Sequence, residues 1–206
     1  MRRIISTKIG GGFMTISEWI EQYKIQSDNR FPTFKKAFEL FKEREGKNIV
    51  ETGCVRLHDD WGAGMSTYLF GEYAKMFGAK IWTDDISQAN MNCCIDVTKE
   101  FSDNITYIVD DSLHFLREFP ETIDFLYLDS MDCPLVDDPN DLTVLQSQNH
   151  QLSEMQLALP KMNEKGIVLL DDNQFINGGK PKLTKMFLKS EGWTELLGGQ
   201  QSLWIK

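Results

Sequence analysis

From residue 48 onward, short runs of β-branched and aromatic residues alternate with stretches whose apolar positions recur every three or four residues. That alternation predicts βαβ units around a parallel sheet. The strand-like runs fall at 48–52, 80–83, 105–109, 123–128 and 167–170. Between them, four stretches have helical spacing. They are Leu69, Tyr73, Met76 and Phe77 closed by Gly78; Met91, Cys94, Ile95 and Thr98 behind a Ser87 cap; Leu113, Leu116 and Phe119 before Pro120; and Leu152, Met155 and Leu159 before Pro160. The pattern changes near the end, where Leu183, Phe187 and Leu188 predict a helix and the runs 194–197 and 202–205 flank Gly198-Gly199 as a hairpin. Ahead of the sheet, Thr15 with Glu18 three residues on has the form of a capping box, opening a helix that carries Trp19, Ile20 and Tyr23. A second amphipathic helix follows Pro32, with Phe34, Ala37, Phe38, Leu40 and Phe41 on one face.

The expected fold is therefore α/β: a Rossmann-like, doubly wound, mostly parallel sheet with a C-terminal antiparallel hairpin and N-terminal packing helices. Residues 1–13, which include Gly10-Gly11-Gly12, read as a flexible lead-in. Residues 14–206 read as a single domain, with packing helices over 14–47 and the sheet core over 48–206.

What ends each strand narrows the chemistry. The five runs close on Glu51-Thr52-Gly53, Asp84-Asp85, Asp110-Asp111-Ser112, Asp129-Ser130 and Asp171-Asp172-Asn173. In an open parallel sheet those ends share one edge, where ligands bind. So many carboxylates would repel one another unless ligand hydroxyls and amines, or a cation, engage them.

Composition removes several classes. The 206 residues carry a net charge of -9, and nucleic-acid affinity depends on Lys and Arg contacts to phosphates, so no nucleic-acid partner is expected. No run of apolar residues is long enough to span a bilayer, and nothing near Met1 reads as a signal peptide, so the expected location is the cytoplasm, without membrane contact. Cys54, Cys93, Cys94 and Cys133 form no CxxC pair and share no ligand spacing with His58, His114 or His150, which leaves reduced thiols and no zinc site.

The loop after the first strand reads Glu51-Thr52-Gly53-Cys54, then the excursion 55–61, then Gly62-Ala63-Gly64-Met65-Ser66-Thr67. Asp85 lies 21 residues beyond Gly64, close to the spacing of an acid that binds ribose hydroxyls. A nicotinamide dinucleotide needs a compact GxGxxG facing a pyrophosphate. Here the glycines are spread, and Glu51, Asp59 and Asp60 would repel a pyrophosphate while suiting a sulfonium and an ammonium group. S-adenosylmethionine is the better fit.

These residues resemble the class I S-adenosylmethionine-dependent methyltransferases, with greatest similarity to small-molecule O-methyltransferases of the catechol and macrolide-sugar types. The resemblance covers 47–206 and rests on 49–53, 62–67, 85–87, Asp111-Ser112, 123–129 and 166–173. It implies that Glu51, Gly53 and Ser66, with the loop glycine Gly64, line the methionine end, that Asp85 takes the ribose, and that Asp111 and Ser112 lie near the adenine. It also implies a magnesium ion held by Asp129, Asp172 and Asn173, with Asp171 as a substitute for Asn173. Asp129 would then act in catalysis as well as beside the cofactor. The lysine that catechol enzymes carry three residues beyond the strand-four acid is replaced by Asp132, leaving Asp132 and His150 as candidate bases.

The expected activity is methyl transfer to a hydroxyl of a small hydroxylated substrate with metal assistance. A metal-independent or N-directed methyltransferase and a non-catalytic nucleotide-binding module are the alternatives. Arg56 and His58 in the long loop are read as either substrate contacts or solvated surface, Trp61 as either a lid residue or an exposed loop anchor, and Lys180 and Lys182 as able to meet an acidic substrate, although lysines near a helix start are more often simply solvated. Specificity is expected in the N-terminal helices and in the insert 131–149, and the apolar residues of those helices would serve a homodimer.

Overall fold

The computed structural model describes residues 14–62, 65–134, 138, 141–175 and 178–206. The lead-in 1–13 and Gly64 lie outside the described residues.

The strands are β1 Asn48–Thr52, β2 Lys80–Asp84, β3 Ile105–Ile108, β4 Ile123–Leu128, β5 Met162–Leu170, β6 Thr194–Gly198 and β7 Ser202–Ile205. They form one sheet in the order β3-β2-β1-β4-β5-β7-β6. β1 to β5 run parallel, and β7 pairs antiparallel with β5 and with β6. The chain order reverses between β1 and β4, so the ends of those strands flank the crevice expected to receive a ligand.

Side-chain alternation divides the core in two. Ile49, Phe125 and Ile167 point to one face of the sheet, where α1 Ile16–Glu21, α3 Phe31–Glu43 and α4 Ser66–Phe77 supply Trp19, Phe34, Phe38, Phe70 and Tyr73. Val50, Leu126 and Val168 point to the other, against α6 Ser112–Glu118, α7 Leu142–Ala158 and α8 Lys182–Ser190 through Leu116, Met155 and Leu188. Because both faces are covered, the central strands are continuous apolar runs rather than alternating ones.

The N-terminal helices follow their sequence signals. Thr15 and Glu18 form the reciprocal capping box, with Glu18 N 3.2 Å from Thr15 Oγ1 and Thr15 N 2.8 Å from Glu18 Oε2. Trp19 packs edge-on to Phe38 with centroids 5.0 Å apart, and its indole N–H donates to Glu72 on α4 at 2.6 Å. The apolar faces of these helices are thus buried within the chain's own core. A short helix, α2 Lys24–Ser27, links them and carries no strong periodic signal. α5 Gln88–Thr98 starts at the Ser87 cap.

Beyond one-residue differences at the ends of β2, β3 and β6, two boundaries depart further from the sequence expectation. β5 begins five residues before the predicted run, because the segment before Gly166 is exposed and polar yet still pairs with β4. α7 begins at Leu142, capped by Asp141, so the second part of the insert 131–149 is helix. No helix among the described residues is long and apolar enough to cross a membrane.

Candidate active site

At the crevice between β1 and β4 two backbone segments approach closely. Gly53 follows β1 with φ +80°, and a Cβ there would lie 2.5 Å from the carbonyl oxygen of Asp129. Only glycine fits both that conformation and that spacing. The turn leaves a cleft of about 310 Å³, counting its open mouth, lined by Gly53, Cys54 and Arg56 after β1, Ser66 at the start of α4, Asp85 after β2, and Asp129 and Ser130 after β4.

Four of the residues singled out for the cofactor thus come together: Gly53, Ser66, Asp85 and Asp129. Glu51 is fully buried in β1 and connects to that wall through Thr67, the neighbour of Ser66. Its Oε2 accepts from Thr67 Oγ1 at 2.7 Å and Thr83 Oγ1 at 2.8 Å, while Oε1 has no partner. Burial pushes the Glu51 carboxyl up to about 7. A buried carboxylate oxygen without a partner is uncommon and is expected to take up a proton or a polar group.

Asp85 is set by its own loop. Its Oδ1 accepts from Ser87 N at 2.7 Å and Asn90 Nδ2 at 3.1 Å, and the Cys54 thiol reaches Oδ2 at 3.7 Å. Asn90 Nδ2 also lies 3.2 Å from Oδ2, so ligand hydroxyls would share the carboxylate's acceptor positions with these loop contacts. Asp111 and Ser112 stand outside the cleft lining. Asp111 caps α6 through Leu113 N and His114 N, and Ser112 Oγ lies 3.0 Å from His150 Nε2.

The candidate bases separate. Asp132 is held by a two-pronged ion pair, its Oδ2 and Oδ1 at 3.0 and 2.9 Å from Arg56 Nη1 and Nη2, and that bond lowers its proton affinity. His150 belongs to a polar cluster behind the sheet edge, where the Glu154 carboxylate at 3.5 Å raises its affinity for a proton. Glu154 also accepts from Ser130 Oγ at 2.6 Å. Asp84, the residue before Asp85, ends β2 buried, and burial pushes it up to about 9.

The expected magnesium ligand set does not form. The ammonium of Lys180, with its side chain 1% exposed, lies 2.7 Å from Asp129 Oδ1 and 3.2 Å from Asp172 Oδ2. Asn173 is turned away: its Nδ2 donates to Gly199 O at 2.8 Å and its Oδ1 accepts from Lys185 Nζ at 2.9 Å. Asp171, the substitute ligand, is consumed by a buried ion pair with Arg30, whose Nε is 2.9 Å from Oδ2, and by Tyr127 OH at 2.6 Å. Among the described residues no group of three or more His, Cys, Asp or Glu side chains could hold a metal ion. The assignment of Asp129, Asp172 and Asn173 to magnesium is therefore corrected: two carboxylates face an ammonium, and the amide serves the hairpin.

Sequence reading missed both cations. Arg30 comes from the turn before α3 and also donates to Gly62 O at 3.0 Å, tying the N-terminal helices to strand five and to the glycine loop. Lys180 looks like one of two lysines before a helix. Burial pulls its titration down, but Asp129 and Asp172 outweigh that and leave it above the ordinary lysine value. Three acids meet two cations here, and burial raises the proton affinities of Asp129 and Asp172. In the long loop, Trp61 stacks on Tyr23 with centroids 5.5 Å apart, and exposed His58 pairs with Asp96 at 3.5 Å.

No protein-family model matches this sequence, and no curated protein is similar to it. Solved structures do match its fold. The SAH-bound methyltransferase PaMTH1 of Podospora anserina superimposes with a TM-score of 0.61 at 15% identity, over 93% of this chain and 85% of that one. The O-methyltransferase NovP gives 0.58 at 13% identity over 86% and 79%. A Clostridium thermocellum protein provisionally described as an rRNA methylase gives 0.52 at 13% identity over 84% and 95%. At these identities the likeness shows the fold, which is the Rossmann-like methyltransferase fold with its C-terminal antiparallel hairpin.

Proposed function

We propose that this chain is an S-adenosylmethionine-dependent methyltransferase acting on a hydroxyl of a small molecule without a divalent ion. The carrying observation is the Gly53 turn, which opens a cleft with Asp85 on its wall and the half-satisfied Glu51 carboxyl behind it. An acidic edge of this kind suits a sulfonium with an ammonium and disfavours a pyrophosphate. When bound, S-adenosylmethionine supplies an electrophilic methyl group.

The protein's part is positioning and electrostatics. Gly53 admits the ligand to the backbone, and Asp85 is the acceptor for ribose hydroxyls. Glu51, through Thr67, sets the polarity at the methionine end. Asp129, in the cleft and held by Lys180, accepts a hydrogen bond from the substrate hydroxyl and orients it. The chain's net charge of -9 argues against a polyanionic acceptor.

Titration calorimetry with S-adenosylmethionine, S-adenosylhomocysteine and NAD tests the reading. Binding of the first two and not the third is expected, unchanged by a chelator. Binding of NAD alone, or of none, overturns it. A radiolabelled methyl donor offered with a panel of hydroxylated and amine acceptors then identifies the acceptor atom.

A further inference from the structure

We infer that Lys180 is a resident cation that takes the place of a divalent metal at this strand edge, linking Asp129 to Asp172 and fixing the Asp129 carboxylate at the cleft. The inference deepens the proposed function and rests on that reading for its catalytic meaning, though not for its geometry.

Burying an ammonium costs several kcal/mol unless partners repay it, so a lysine side chain 1% exposed needs a structural reason. The reason is visible in how the loop is built. Gly179 has φ +61°, and a Cβ there would lie 2.0 Å from the carbonyl oxygen of Asp172. Its own carbonyl accepts from Gln148 Nε2 of α7 at 3.0 Å. Asp172, the partner carboxylate, itself adopts φ 60°. Two left-handed residues in contact, one of them not glycine, are kept only where surrounding structure enforces them. Here they direct Lys180 inward between two acids from different strands.

The ammonium itself fills the space between the two carboxylates, 2.7 Å from Asp129 Oδ1 and 3.2 Å from Asp172 Oδ2, and magnesium would require a near-octahedral set of oxygens at about 2.0–2.1 Å. Lys180 is shielded from solvent, so it acts through Asp129 and is a positioning residue. It neutralises the charge that a metal would neutralise, and it leaves no ligand position open to substrate.

Manganese binding, followed by calorimetry and by the electron paramagnetic resonance signal of free ion, tests this on the full chain. The wild type is expected to bind no manganese at about 1 mM, the weak end of the affinity scale. K180A frees two facing carboxylates and is expected to bind one ion per chain at least about tenfold more tightly than wild type. K180A/D172N should lose that ion again. Wild-type binding of one ion that D172N abolishes would overturn the inference, as would a folded K180A that gains none. Should K180A fold poorly alone, recovery of its melting transition in manganese supports the inference, and the wild-type arm decides it in any case. S-adenosylmethionine titrated into the same wild-type sample reports on the proposed function separately, since its failure to bind would leave the manganese result standing.

Discussion

Gly53 and Asp129 touch through their backbones at the crossover of the sheet, with no room between them for a single methyl group. G53A must therefore displace the end of β1 or of β4. The left-handed φ alone costs about 1–2 kcal/mol for an L-residue, and the displacement adds to it. A lower Tm and at least about tenfold weaker S-adenosylmethionine binding are expected. A variant with unaltered melting and affinity would show that the turn does not shape the ligand site.

Asp85 offers its carboxylate to the cleft while its loop fixes it through Ser87 and Asn90. Hydrogen bonds to a charged group are worth about 1.5–3 kcal/mol, so D85A is expected to weaken cofactor binding by roughly 10- to 100-fold. D85N, which keeps one acceptor oxygen, should lose less. Equal affinities for wild type and D85A by calorimetry would remove Asp85 from the site.

Glu51 makes stability depend on pH in a defined direction. An ordinary glutamate titrates near 4.5, and burial holds Glu51 near 7. Between those values the folded chain keeps a proton that the unfolded chain has released, so the stabilising contribution is present below 4.5 and fades as pH rises toward 7. The total is roughly 3 kcal/mol. Urea titrations across that range should show E51Q with a flatter profile than wild type. Parallel profiles would mean that Glu51 is ionised throughout.

Arg30 is the sole counter-charge in direct contact with Asp171 among the described residues. R30M retains much of the side-chain volume and leaves a buried carboxylate without its partner, a change expected to cost about 3–5 kcal/mol. The denaturation midpoint should fall while its slope stays constant. A loss below about 1 kcal/mol, the range of surface pairs, would mean that the buried pair contributes little to the fold.

The sheet was legible because its signals are local. The apolar runs of β1 and β4, the Ser87 and Thr15 caps and the Gly198-Gly199 hairpin each announce themselves within a few residues, and each matches the structure. The acids at the strand ends were legible for the same reason. Their partners were not. Lys180 meets Asp129 across 51 residues and Arg30 meets Asp171 across 141, and no periodicity or spacing rule connects such pairs. Carboxylates converging on one edge require neutralisation, but local patterning does not say whether a metal, a ligand or the chain's own cations provide it. The family resemblance pointed to a metal; Lys180 and Arg30 are the cations present.

The span between Arg30 and Asp171 also has a consequence in time. A ribosome adds about 5–20 residues per second, so roughly 7–28 s separate the emergence of the arginine from that of its partner. Through that interval the aromatic face of α1 and α3 has no β5 to dock beside, and the glycine loop lacks the anchor that Arg30 gives it once seated. A nascent chain cut short before residue 171 would leave Arg30 without its carboxylate partner and Asp129 without Lys180, so the charged edge of the cleft would be among the last parts of the protein to be fixed.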